Sequence, residues 1–149
     1  MRSEILRDQN KILHTTCEAV TDFEEAKQIA EELVEVIKSV AKFWNIWLGF
    51  AANQIGYSKR IIVLRKGKDE YQILINPFLV QTRIPFPYLE RCYSTSGIYR
   101  VKRYLWAQVK YQDLQQQWQE MILKGPSAVY HEIDHLEGIL ISEKGKRIF

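Results

Sequence analysis

The sequence is short of the features that extracellular and membrane architectures need. It has two cysteines, Cys17 and Cys92. Two make no disulfide framework, and a reducing compartment is the expectation. Long apolar runs are missing as well. The most apolar stretch, residues 43–52, contains Asn45 and falls well short of the roughly 20 residues a membrane helix requires. Residues 1–8 carry no apolar segment of the secretory type. Charge of one sign is lacking too: 21 Lys and Arg stand against 18 Asp and Glu, a net +3, too little to mark a nucleic-acid-binding protein. The densest basic groups, Lys59-Arg60 and Arg100 to Arg103, read as solvated surface. There is no internal repeat and no linker. A chain of 149 residues is expected to form a single domain, residues 1–149, burying about two-thirds of its unfolded surface. The expected setting is cytoplasmic, with no membrane partner and no direct nucleic-acid partner.

Histidine is scarce, with three in the chain, yet two stand together in His131-Glu132-Ile133-Asp134-His135. On a helix, His131 and His135 lie one turn apart on one face. That spacing suits two imidazoles on one zinc-like ion, with Glu132 beside them as an acid/base candidate. The plain alternative is a chance grouping. A catalytic metal site usually takes three protein ligands and leaves one position open. Cys92 is the first candidate for the third, although a lone cysteine is more often a small buried hydrophobe. His14, in the amino-terminal segment, is the other.

Read in order, residues 1–20 predict an irregular segment wrapping the domain. Thr21-Asp22-Phe23-Glu24 has the pattern of a capping box, predicting a helix to about Phe43. Ala26, Ile29, Ala30, Leu33, Ile37, Val40, Ala41 and Trp44 form its core-facing stripe. Residues 45–56 read as a loop with Gly49, Ala51, Ala52 and Gly56, small residues that let backbone or ligand approach. Gln54 is the candidate there for donating a hydrogen bond to a substrate. Residues 60–64 and 71–75 predict strands around a turn, with Asn76-Pro77 stopping the second. Residues 78–83 predict another, and Pro85 and Pro87 bar a regular central strand. Residues 101–111 and 118–123 predict a hairpin. Gly125-Pro126 predicts the start of the histidine helix, Gly138 its end, and Ile139 to Ile141 a last short strand. Helix, antiparallel strands, helix is an α+β pattern, with an antiparallel or mixed sheet packed on helices.

At this point the chain resembles the peptide deformylases, a family with three ordered motifs. Gly-x-Gly-x-Ala-Ala-x-Gln is matched by Trp47 to Gln54. Glu-Gly-Cys-x-Ser is matched by Glu90 to Ser94. His-Glu-x-Asp-His-Leu is complete from His131 to Leu136. The early Ile5-Leu6, residues 73–77 and Val101-x-Arg103 fit as well, so the resemblance covers nearly the whole chain. It implies a central metal-binding helix bearing His-Glu-x-x-His and a long amino-terminal helix. Cys92, His131 and His135 match the ligands of one divalent ion, usually ferrous iron, with zinc or nickel able to replace it. Glu132 matches the catalytic carboxylate; Gln54 and the Tyr93 amide match the groups that polarise the formyl oxygen. The implied substrate is an N-formylmethionyl peptide or nascent chain, with Leu48, Gly49, Arg91 and Val129 along it. Metal-activated hydroxide would attack the formyl carbon, Glu132 taking and returning the proton. Asp134 then matches a supporting group paired with Arg103, or else is a solvated helix charge.

The chain also departs from the family pattern. Trp47 and Arg91 stand where the family has Gly, which would narrow or cover the peptide groove. Ser96 replaces a usual Pro, and Gln9-Asn10 a common Pro-Asp. The helix associated with ribosome docking in many bacterial members is absent from the residues after Gly138. None of these changes touches a ligand, Glu132 or Gln54. The resemblance therefore implies a competent site with an altered groove. The alternatives are a relative acting on another N-acyl amide and a metal- or peptide-binding relative without catalysis.

Overall fold

The computed structural model describes residues 4–41 and 48–149. Helix α1 spans Phe23–Val40. Its cap is Asp22, one residue after the expected Thr21: a single carboxylate oxygen accepts from the amides of Glu24 and Glu25 at 3.0 and 3.1 Å. Glu24 and Glu25 place acid in the first turn, at the positive end of the helix dipole. Ala26, Ile29, Ala30, Leu33, Val36 and Ile37 are its buried face. The helix ends at Val40, short of Phe43; Phe43, Trp44, Asn45 and Trp47 lie outside the described residues.

The strands are β1 (Gly49–Ala51), β2 (Ile61–Gly67), β3 (Glu70–Glu90), β4 (Tyr99–Gln112), β5 (Trp118–Lys124) and β6 (Lys146–Arg147). They form one sheet in the order β1-β2-β3-β4-β5, each neighbouring pair antiparallel, with β6 beside the start of β4. The architecture is α+β, a curled antiparallel sheet with few helices. Register shifts between Ile75 and Phe78 and between Leu79 and Gln81 bend the long ribbon, as bulges do. The expected loop at residues 45–56 contains β1 and a 3-10 turn, Ala52–Ile55.

Strand β3 corrects the sequence expectation. Asn76-Pro77 does not stop it, and Pro85 and Pro87 do not interrupt it; it runs for 21 residues. Asn76 takes a positive φ of 51° and is held by Val20 and Gln112 through its side chain. β2 pairs with β3 only from Glu70 to Ile75. Beyond that, β3 has β4 alone beside it among the described residues, so one of its edges is unpaired, and proline is tolerated in such edge strands.

The run Ile61 to Leu64 shows how the sheet is buried on both faces. Ile61, Val63 and Ile75 pack with α1, while Ile62, Leu64 and Leu74 pack with helix α2 on the other side. This is the period of two that a strand imposes, and it gives a near-continuous apolar run.

Helix α2 spans Ala128–Leu136, two residues later than Gly125-Pro126 suggested. Ser127 caps it, its hydroxyl accepting from Val129 N at 3.2 Å. Gly138 (φ 74°) turns the chain out of the helix, and a Cβ there would lie 2.7 Å from Thr15 N. The expected strand at residues 139–141 is instead the approach to a helical turn, α3 (Ile141–Lys144). Glu143 accepts from the Leu140 amide at 3.2 Å. Leu140 and Ile141 are buried; a short apolar triplet reads the same in a strand or a buried turn. No helix among the described residues is long and apolar enough to cross a membrane.

Candidate active site

Three elements meet at the site. Helix α2 supplies His131, Glu132 and His135, all buried. The loop after β3 supplies Cys92. The 3-10 turn after β1 supplies Gln54, which is 2 % exposed. Cys92 Sγ lies 3.3 Å from His135 Nε2, and His135 Nε2 lies 3.1 Å from His131 Nε2. All three donor atoms fall within 4.8 Å of one another. His14, the other sequence candidate, is elsewhere, with Nε2 on the Asp8 carbonyl and Nδ1 on Glu143.

The donor set fits a metal ion. One sulfur and two imidazole nitrogens cluster there. A thiolate with two imidazoles suits iron, nickel or zinc. His131 Nδ1 lies 3.0 Å from Glu90 Oε1; donating there, it leaves Nε2 with its lone pair inward. Burial alone would lower the pKa of His131. Hydrogen bonds with Cys92 and Glu90 outweigh it and raise the imidazole well above its ordinary range. Burial, with His131 adding to it, holds His135 well below that range.

Glu90 is the residue that sequence reasoning missed. Burial would raise its carboxyl, but Arg103 and His131 hold it down to about 2. Arg103 grips it bidentately, both contacts at 2.8 Å, and reaches Asp134 with its remaining amino group. Lys144 holds the other Asp134 oxygen at 3.1 Å. Asp134 is thus the Arg103 partner rather than a solvated charge. The only sequence signal for Glu90 was its place two residues before Cys92 in the second motif. Its partners Arg103 and His131 come from β4 and α2.

Glu132 faces the cleft between β1 and α2. Its Oε1 is buried without a protein partner. Burial pushes the carboxyl up to about 7; His131 opposes this and Glu90 adds to it. Gly49 makes the arrangement possible, since a Cβ there would sit 3.2 Å from Glu132 Cγ and 2.9 Å from Leu64 Cδ2. Gln54 is oriented by Ala51 N, which donates to Oε1 at 3.0 Å. Its Nε2 then donates to Ser94 Oγ at 3.2 Å and lies 3.8 Å from Cys92 Sγ. Ser94 N donates to Cys92 Sγ at 3.4 Å. The Tyr93 ring packs on Phe50, centroids 5.4 Å apart.

A cleft of about 1220 Å³ opens over these groups. Leu48, Gly49, Gln54, Arg91, Cys92, Tyr93, Val129, His131 and Glu132 all line it; His135 lies beneath, 1 % exposed. Trp47 lies outside the described residues. Chemically, the cleft combines an apolar wall, a thiol and imidazole cluster, a buried carboxyl and the Gln54 amide.

The chain matches the family model "Polypeptide deformylase" over residues 2–148. It is 32% identical over 152 aligned residues to "Peptide deformylase 1" of Bacillus anthracis, covering 98% of this chain and 94% of the relative. Among solved structures it is similar to a peptide deformylase from Thermotoga maritima, with a TM-score of 0.84, 28% identity and 97% of each chain covered. It is also similar to the actinonin-bound class I type b peptide deformylase from Acinetobacter baumannii, with a TM-score of 0.83, 26% identity, and 97% and 98% of the two chains covered.

Proposed function

The chain belongs to the polypeptide deformylase family, and from that premise we propose how this metal-dependent hydrolase removes the formyl group from N-formylmethionyl peptides and nascent chains. Cys92, His131 and His135 hold one divalent ion, ferrous iron in our assignment, with zinc or nickel able to replace it. When bound, the ion supplies Lewis acidity that makes a water nucleophilic near neutral pH. Helix α2 is then the metal-binding helix.

Glu132 takes the proton from the attacking water and later gives it to the departing amine. A carboxyl near 7 suits both halves of that exchange, and its burial keeps bulk water from competing for the proton. As the formyl C–N bond breaks, formate and a free amino terminus result. The oxygen of the formyl carbon gains charge on the way. Gln54 Nε2 and the Tyr93 N–H donate to it, Gln54 being already oriented by Ala51 N and Ser94. The methionine side chain lies on the apolar wall of Leu64, Leu123 and Val129, and the peptide runs past Leu48, Gly49 and Arg91. The observation that carries this reading is the meeting of three ligand atoms within 4.8 Å beside a buried carboxylate at the floor of a cleft.

We read residues 1–149 as one domain, since both core clusters share strand β2. We assign the protein to the cytoplasm, in keeping with two free cysteines.

The test is formate release from a formyl-Met-Ala peptide by protein purified anaerobically under reducing conditions and loaded in turn with iron, nickel and zinc. No formate with any ion overturns the reading. Glu132→Gln is expected to keep its metal and lose about 10²- to 10⁴-fold in kcat. Retained activity would remove Glu132 from its role.

A further inference from the structure

The described residues lining the cleft include five cations, Arg65, Lys66, Arg91, Lys124 and Arg147, and two carboxylates, Glu90 and Glu132. The chain as a whole is nearly balanced, at +3, so general basicity does not account for this concentration. Neither carboxylate offsets it. Glu90 is taken up by Arg103 and His131, and Glu132 is 3 % exposed on the floor. Arg65 is folded onto the carbonyls of Gly67 and Lys68.

Arg91, Lys124 and Arg147 differ from Arg65. All three are exposed at the cleft, and none pairs with an acidic side chain among the described residues; Arg147 also donates its Nε to Phe149 O at 2.9 Å. They flank the cleft from two sides. Arg91 immediately precedes Cys92. Arg147 lies along the same loop, its Nε 2.7 Å from where a Cβ on Gly97 would stand. Lys124 ends β5 on the far side, next to the start of α2. Leu64, Leu123 and Val129 line the same cleft.

We propose that the cleft selects formyl-methionyl peptides bearing a carboxylate side chain on one of the two residues after methionine, with Arg91, Lys124 and Arg147 as its partners. The inference rests on the deformylase reading and names its substrate class more narrowly. An extended peptide advances about 3.5 Å per residue, so those two residues lie roughly 4 to 7 Å beyond methionine. Charges act over ~10 Å at about 0.1 M salt, and Arg91, Lys124 and Arg147 all line the cleft that takes the peptide. A lysine in the same place meets three cations and, among the described residues, no available acidic side chain.

The experiment compares kcat/KM for C-terminally amidated formyl-Met-Ala-Ala, formyl-Met-Asp-Ala, formyl-Met-Ala-Glu and formyl-Met-Lys-Ala. Formyl-Met-Ala-Ala with a free carboxyl is the fifth substrate. The acidic amides are expected to exceed the alanine amide about three- to tenfold at low salt, from two or three exposed pairs. The lysine peptide falls below it. The ratio should shrink toward one in 1 M NaCl and in the combined Arg91→Gln, Lys124→Gln, Arg147→Gln variant, whose folding is checked by circular dichroism. An acidic-to-alanine ratio of one or less overturns the proposal. So does a gain confined to the free-carboxyl peptide, which would mean that only a chain terminus is recognised. Calorimetry with the product amides Met-Asp-Ala and Met-Ala-Ala reads the same preference without turnover. Absence of formate from every peptide thus sinks the deformylase reading, while binding still decides the preference.

Discussion

His14 shows how a single exposed residue is tuned by its partners. The hydrogen bond with the Asp8 carbonyl raises its pKa; slight burial pulls down, and Glu143 raises it further. The folded value lies above the unfolded 6.5. The contact therefore contributes in full below pH 6.5 and fades as pH rises through the folded value. An NMR titration should place the His14 midpoint above 6.5, and Glu143→Gln should bring it down; a wild-type midpoint at or below 6.5 would contradict the geometry. Cys17 makes a useful contrast with Cys92. Burial raises its thiol pKa, with Ser58 and Arg60 opposing, so thiolate is scarce. In metal-free protein at pH 8, iodoacetamide should modify Cys92 well before Cys17, as mass spectrometry of the digested protein would show. Faster loss of Cys17 would contradict that.

Among the elements, the loop of residues 92–98 carries the greatest functional demand. It bears Cys92 and the Tyr93 amide, yet among the described residues it belongs to no helix or strand. It is held from two directions. Arg7 donates to the Tyr93 carbonyl at 2.9 Å and to Ser96 Oγ at 3.0 Å. From the other side, Ile98 exchanges backbone hydrogen bonds with Ile148 and Phe149. Ser96 supplies a hydroxyl that a proline could not. Arg7→Ala is expected to lower kcat about two- to tenfold, the equivalent of one or two modest hydrogen bonds, with faster amide exchange at residues 93–96. Arg7→Lys should recover part of the loss. Unchanged kcat and unchanged exchange would show the loop to be set by Ile98 and residues 148–149 alone.

At the scale of the molecule, ion binding and folding are linked, because Cys92 and the two histidines come together only in the folded chain. With ion at about 100-fold above its dissociation constant, the native state gains about 2.7 kcal/mol. For a chain of this size that is roughly 5–10 °C in Tm. Calorimetry of loaded and chelator-treated protein checks it, and equal Tm values would argue against the site. Much of the architecture was legible in the sequence where one periodicity held: the stripe from Ala26 to Ile37, the buried run of β2, the hairpin of β4 and β5. It was not legible where tertiary pairing overrode a local signal. Pro85 and Pro87 read as breakers because one sequence cannot reveal which strand edge lacks a neighbour. Ile139 to Ile141 read as strand because three apolar residues carry no period. The ligand residues were visible because histidine is rare and their spacing is helical. Glu90 was not, because what it does depends on side chains 13 and 41 positions away.

Arg103 is a shared debt among several positions. Its guanidinium, 3 % exposed as a side chain, serves Glu90 and Asp134 at once, and Glu90 in turn serves His131. Exchanging Arg103 alone would leave the Glu90 carboxylate without its guanidinium. Over generations these four residues would be inherited or lost as a block, with neutral drift confined to the cleft's exposed rim. New substrate preferences would then arise first at positions such as 91, 124 and 147, while the chemistry beneath them stays fixed.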